Sequence, residues 1–101
     1  MKLPWTAARD GEAQLWAERS FGSAPPACAA RVGKILCEQV TPDLEALSPN
    51  RALSEHAEFN ELRRVELLLA LEREFDISIP DSDAETLLTP AAIVAFVSKQ
   101  E

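Results

Sequence analysis

At 101 residues the chain has room for one small domain and a short appendage. Seventeen acidic against ten basic residues leave a net charge of −7, a poor match for nucleic-acid phosphates or anionic lipid. No apolar run approaches the ~20 residues of a membrane span. A 47% hydrophobic content favours a folded core, and 3 Gly with 27% charged residues lean it toward helix. The opening MKLPWTAARDGEAQ lacks the apolar stretch of a secretory leader, so a cytoplasmic location is expected.

Residues 1–26 read as an N-terminal extension. Lys2, Arg9 and Arg19 balance Asp10, Glu12 and Glu18 there, so the whole charge excess lies further on, where residues 31–101 hold 7 basic and 14 acidic groups. Trp5, Leu15, Trp16 and Phe21 make the segment too apolar for a free tail. One short amphipathic helix over 6–19 is predicted, either folded back on the domain or used on a partner. Gly22-Ser23-Ala24-Pro25-Pro26 then interrupts any helix.

Residues 27–101 form the domain. A helix is predicted over 27–40, with Val32, Ile35, Leu36 and Val40 in one apolar stripe, and Thr41-Pro42 stops it. Cys28 and Cys37 would fall on opposite faces of such a helix and read as small buried residues rather than a disulfide. A connection over 41–59 follows, long for so small a domain and pinned by Leu44, Leu47 and Leu53.

The strongest helix begins at Asn60, a good N-cap, and runs through NELRRVELLLALEREF to Phe75. At about 100° per residue it carries two apolar faces. Leu67, Leu68, Leu71 and Phe75 make the wider one, and Leu62, Val65 and Leu69 the narrower. Glu61 and Glu72 separate them on one side, and Arg63, Glu66 and Glu74 on the other. The wider face supplies a core. The narrower one is either covered by the long loop or is an acid-edged docking stripe. Arg64 falls within the wider face, near the helix start, where its head can reach outward.

Ile77 and Ile79 alternate toward Pro80, and Asp81 is predicted to cap a short helix over 82–87 with Ala84 and Leu87 inward. Thr89-Pro90 reads as an N-cap followed by proline at the first helical position. A last helix over 90–99 turns Ile93, Phe96 and Val97 to one side. The expected fold is all-α: a small bundle of three main helices and one short helix, behind an N-terminal extension. A monomer is expected.

The residues V-E-L-L-L-A-L-E-R-E-F-D-I-S-I-P-D at 65–81 closely resemble the second helix and following turn of acyl carrier proteins. R-V-G-K-I-L-C-E-Q-V at 31–40 extends the likeness upstream with spacing preserved, and A-E-T-L-L-T-P-A-A-I at 84–93 extends it downstream with about one residue deleted. The resemblance covers about 31–98. It implies the same small bundle, and a function that rests on one serine. That serine stands in an Asp-Ser-Leu motif at the start of the second helix and receives 4′-phosphopantetheine, whose thiol carries acyl groups. At the matching positions this chain has Asn60, Glu61 and Leu62. A carboxylate cannot form that phosphodiester, so no cofactor is expected. Glu61 is either a plain first-turn acid, favoured there by the helix dipole, or a charge standing in for the phosphate. Ser48, Ser54, Ser78 and Ser82 lie outside the motif.

The resemblance also implies that Leu62, Val65 and Leu69 form the apolar contact with partner enzymes, with Glu66 and Glu72 keeping acidic positions; Glu61, at the serine position, is expected in the same docking set. Arg63 and Arg73 replace positions that are often acidic. The expected function is therefore a carrier-like module without its arm, a subunit or regulator of acyl-transfer or synthase enzymes. The alternative is a working acyl carrier in fatty-acid, polyketide or lipid-modification chemistry. No nucleophile–base pair, metal-ligand cluster or phosphate loop points to an enzyme. His56, beside Glu55 and Glu58, reads as a solvated loop residue that would meet Glu61 only if the loop curled over the helix start.

Overall fold

The computed structural model describes residues 10–22, 24–41, 43–57 and 59–100. These form five helices and no strand: α1 (Asp10–Phe21), α2 (Ala29–Gln39), α3 (Glu61–Phe75), α4 (Asp81–Ala84) and α5 (Pro90–Gln100). The bundle of three longer helices and one short helix expected from pattern is α2 to α5.

α2 is the axis of the packing and touches α1, α3 and α5. Its stripe points inward as the spacing requires, with Val32, Ile35, Leu36 and Val40 all buried. The helix starts at Ala29 rather than 27. Pro25-Pro26 leads into a turn closed by the Ala29 N–H donating to the Pro26 carbonyl at 3.0 Å, and Cys28 takes the cap position. Both cysteines are buried, as small core residues.

α1 spans 10–21 where the sequence placed a helix over 6–19; residues 6–9, and Trp5, lie outside the described residues. Ala13, Trp16 and Ala17 are buried, and Phe21 meets Trp16 edge-on with ring centroids 5.7 Å apart. The Trp16 Nε1–H donates to the Leu47 carbonyl at 2.8 Å, tying α1 to the long connection.

That connection is not loose. Two 3-10 turns, Leu44–Ala46 and Leu53–Glu55, bury Leu47 and Leu53 around them. Its backbone is pinned to the far end of the bundle. The Leu53 N–H donates to the Leu88 carbonyl at 2.9 Å, and the Ala91 N–H to the Pro49 carbonyl at 2.9 Å.

α3 buries Leu67, Leu71 and Phe75, the centre of its wider face. Burying each such side chain is worth about 1.5–3 kcal/mol. The helix ends on Asp76, whose φ of 53° is left-handed, a conformation Asp tolerates better than most residues. Arg31 of α2 clasps this end: its Nε meets the Glu74 carboxylate at 2.9 Å, its Nη2 donates to the Glu74 carbonyl at 2.8 Å, and the guanidinium lies 4.4 Å from the Phe75 ring centre.

The short helix departs from expectation. Asp81 is its first residue, not its cap; extended Pro80 holds the cap position, and the helix stops at Ala84. Ala84 and Leu87 still face inward, because the turn that follows keeps the same direction. Before α5, the Thr89 hydroxyl accepts from the Ala92 N–H at 3.1 Å, the cap that Thr-Pro foretold. Ile93 and Val97 are fully buried and Phe96 half-buried.

Candidate functional site

The start of α3 is built by Asn60. Its backbone is extended and its Oδ1 accepts from the Arg63 N–H at 2.9 Å, which satisfies one of the free donors at the helix end. Glu61 follows as the first helical residue. Its side chain is 83% exposed, and its nearest cation is Arg64, with Nη1 at 3.5 Å from Oε1. An exposed pair at this distance contributes little to stability. What it fixes is the local charge pattern.

Arg64 lies in the wider apolar face, and its head reaches outward as its position suggested. Nη2 donates to the Ala84 carbonyl at 3.0 Å, so one side chain ties the start of α3 to the end of α4. Glu61 therefore stands beside the joint between the two helices.

Below Glu61 the narrower face is uncovered. Leu62 is 67% exposed, Val65 45% and Leu69 46%. The described residues of the long connection do not cover them, so the reading in which that loop buries the stripe does not hold. Arg63 and Glu66, on one flank, form an exposed pair at 3.8 Å. Glu72, on the other, is only half-buried rim: one carboxylate oxygen accepts from the Ile79 N–H at 2.9 Å and holds the turn after α3. Among the six residues proposed for docking, Glu72 thus has a local structural duty as well. Arg73 is exposed at the other end of the stripe from Leu62.

Sequence reasoning missed the neighbour of this face. α4 and the turn before it lie across from Val65 and Leu69, and the space between is an open groove. Ala84 is expected from sequence to face inward, and Ile79 only to alternate with Ile77; both line this groove. The only sequence signal was the apolar alternation at Ile77 and Ile79, which does not say what the second isoleucine faces.

His56 corrects an expectation. It is buried, not solvated, and its Nε2 has no hydrogen-bond partner. The backbone turn after Leu53 carries it inward. Burial, with Arg51 nearby, holds its pKa below the ordinary value, while Glu55 pulls weakly the other way. No hydrogen bond or ion pair joins it to Glu61, so the two do not form an acid–base pair; Glu58 lies outside the described residues.

The four serines outside the motif, Ser48, Ser54, Ser78 and Ser82, are all exposed, and none lies at the start of α3. Among the described residues no group of three His, Cys, Asp or Glu side chains is arranged to hold a metal, and no helix is long and apolar enough to cross a membrane.

The family described as "phosphopantetheine attachment site" has a model that matches residues 30–97. That stretch is about two thirds of the chain and runs from the second residue of α2 to Val97 in α5. The all-helical architecture agrees with that match, and the chain belongs to the phosphopantetheine attachment site family, as an acyl-carrier-like helical domain.

Proposed function

We propose that this chain is an acyl-carrier-like module that bears no phosphopantetheine and works as a docking subunit or regulator of thioester-handling enzymes, acyltransferases or synthases, in the cytoplasm. The observation that carries this reading is the pairing of Glu61 with the uncovered stripe of Leu62, Val65 and Leu69. Attachment needs a hydroxyl at the head of α3; a carboxylate there offers none. The contact surface beside it is nevertheless kept apolar and exposed, at a cost in solvation that a partner would recover.

Glu61 supplies negative charge where the cofactor phosphate would otherwise sit, and the helix dipole favours it by about 0.3–1 kcal/mol. The module then presents partners with the charge of a loaded carrier and no cargo. It performs no catalysis of its own. Binding to purified acyltransferases and synthases from the same organism, compared with the folded double variant Leu62→Ala, Leu69→Ala, tests the docking role. Loss of binding in the variant supports it; equal binding removes it.

The competing reading, a working carrier, draws on the family match over 30–97. It requires the arm on a residue other than Glu61. Intact mass after treatment with coenzyme A and a phosphopantetheinyl transferase separates the two readings.

A further inference from the structure

α1 lies outside the matched region, yet it holds a segment that lies inside it. A helix of 12 residues is marginal in water, so α1 owes its order to what it packs on. Its main contacts are with α2 and with the first turn of the long connection. Ala13, Trp16 and Ala17 are buried there. The Trp16 N–H donates to the carbonyl of buried Leu47 at 2.8 Å. Without that donor a buried carbonyl is left unpaired, and the segment must open to water to satisfy it.

The connection has little stability of its own. Its internal bonds close single turns: the Leu47 N–H donates to the Leu44 carbonyl and the His56 N–H to the Leu53 carbonyl, each at 3.0 Å. Long-range bonds grip it in chain order, at Leu47 from Trp16, at Pro49 from the Ala91 N–H and at Leu53 through the Leu88 carbonyl. The turn after Leu53 takes His56 inside, beside the ion-paired Arg51 and Glu55. The Phe59 N–H then donates to the His56 carbonyl at 3.0 Å, one residue before the Asn60 cap. A continuous run of turns thus joins the Trp16 anchor to the head of α3.

We propose that α1 is a strap: through Trp16 it holds the connection against the core, keeps His56 buried and presents the head of α3 already ordered. A partner then meets a surface whose ordering is complete before binding, although no residue of α1 belongs to the docking stripe. That consequence rests on the docking reading above; the strap itself does not.

The test uses the full-length protein and Trp16→Phe, which keeps a ring on α2 and removes the N–H. His56 is the chain's single histidine, so its ring signals in an NMR titration report on this segment alone. The strap requires amide exchange at Leu53 and Ala91 to quicken about tenfold more than at Leu36, in the middle of α2. It also requires the His56 pKa to rise toward its ordinary value as water reaches the ring. Equal quickening at all three amides, the mark of a uniform loss of stability, would overturn the strap, and so would an unchanged His56 titration. If Trp16→Phe does not fold, Gly33→Ala is read by the same two criteria, since a Cβ there displaces the indole and its N–H with it. Neither readout involves a partner. The strap can fail with docking intact, and equal partner binding by the Leu62→Ala, Leu69→Ala variant would remove docking with the strap intact.

Discussion

Trp16 lies so close to Gly33 that a Cβ built on the glycine would come within 2.7 Å of Cε3 and 2.9 Å of Cζ3 of the indole. The absence of a side chain at Gly33 is what lets α1 seat its tryptophan on α2, where the ring is 1% exposed and its N–H reaches the Leu47 carbonyl. A helix outside the matched family region is thereby packed into the same core.

Gly33→Ala should destabilise the protein by about 1–3 kcal/mol, because a flat ring backed by α1 cannot yield several tenths of an ångström without moving the helix. Alanine normally favours a helix over glycine by up to about 1 kcal/mol, so a loss of stability isolates the clash. Urea unfolding followed by tryptophan fluorescence measures it.

Asn60→Ala should cost about 1 kcal/mol, since the Arg63 N–H loses its acceptor at the head of α3. Asn60→Asp should restore the cap. Thermal unfolding of the three proteins by circular dichroism checks the order.

His56 predicts a stability loss on mild acidification. Its folded-state pKa is depressed by burial, so near neutrality it is uncharged in both states. As pH falls below about 6.5, the unfolded chain takes up the proton first and stability declines. The decline is complete once the folded-state pKa is passed. His56→Gln should flatten the slope of unfolding free energy against pH in that window. An unchanged slope would mean that the imidazole is not the group responsible.

The double change Asn60→Asp, Glu61→Ser rebuilds the attachment motif on Leu62. Because the cap and the helix start are already in place, this variant should accept an arm from coenzyme A in the presence of a phosphopantetheinyl transferase. Intact mass reads the gain directly. Failure to load would show that the transferase requires more than the motif, with Arg63 the first residue to exchange.

Much of the bundle was legible because its signals were local. The stripe of Val32, Ile35, Leu36 and Val40, the Asn60 cap and the Thr89-Pro90 start each follow from spacing within one helix. The two faces of α3 were also legible, but whether the narrower one stays bare was not, because that depends on where residues 41–59 pack. Their path is set by long-range bonds such as Leu53 to Leu88 and Trp16 to Leu47. His56 was misread for the same reason: its charged neighbours in sequence suggested solvent, and the turn after Leu53 took it inside. The groove beside Leu69 depends on how the turn at 76–80 lays α4 against α3, which no periodicity encodes.

The account rests on Glu61 standing where a loaded carrier has its serine. The most direct measurement is the intact mass of the purified chain after incubation with coenzyme A and a promiscuous phosphopantetheinyl transferase, with a known carrier as positive control. The account predicts no change in mass. A gain equal to one phosphopantetheine, at any residue, would contradict it.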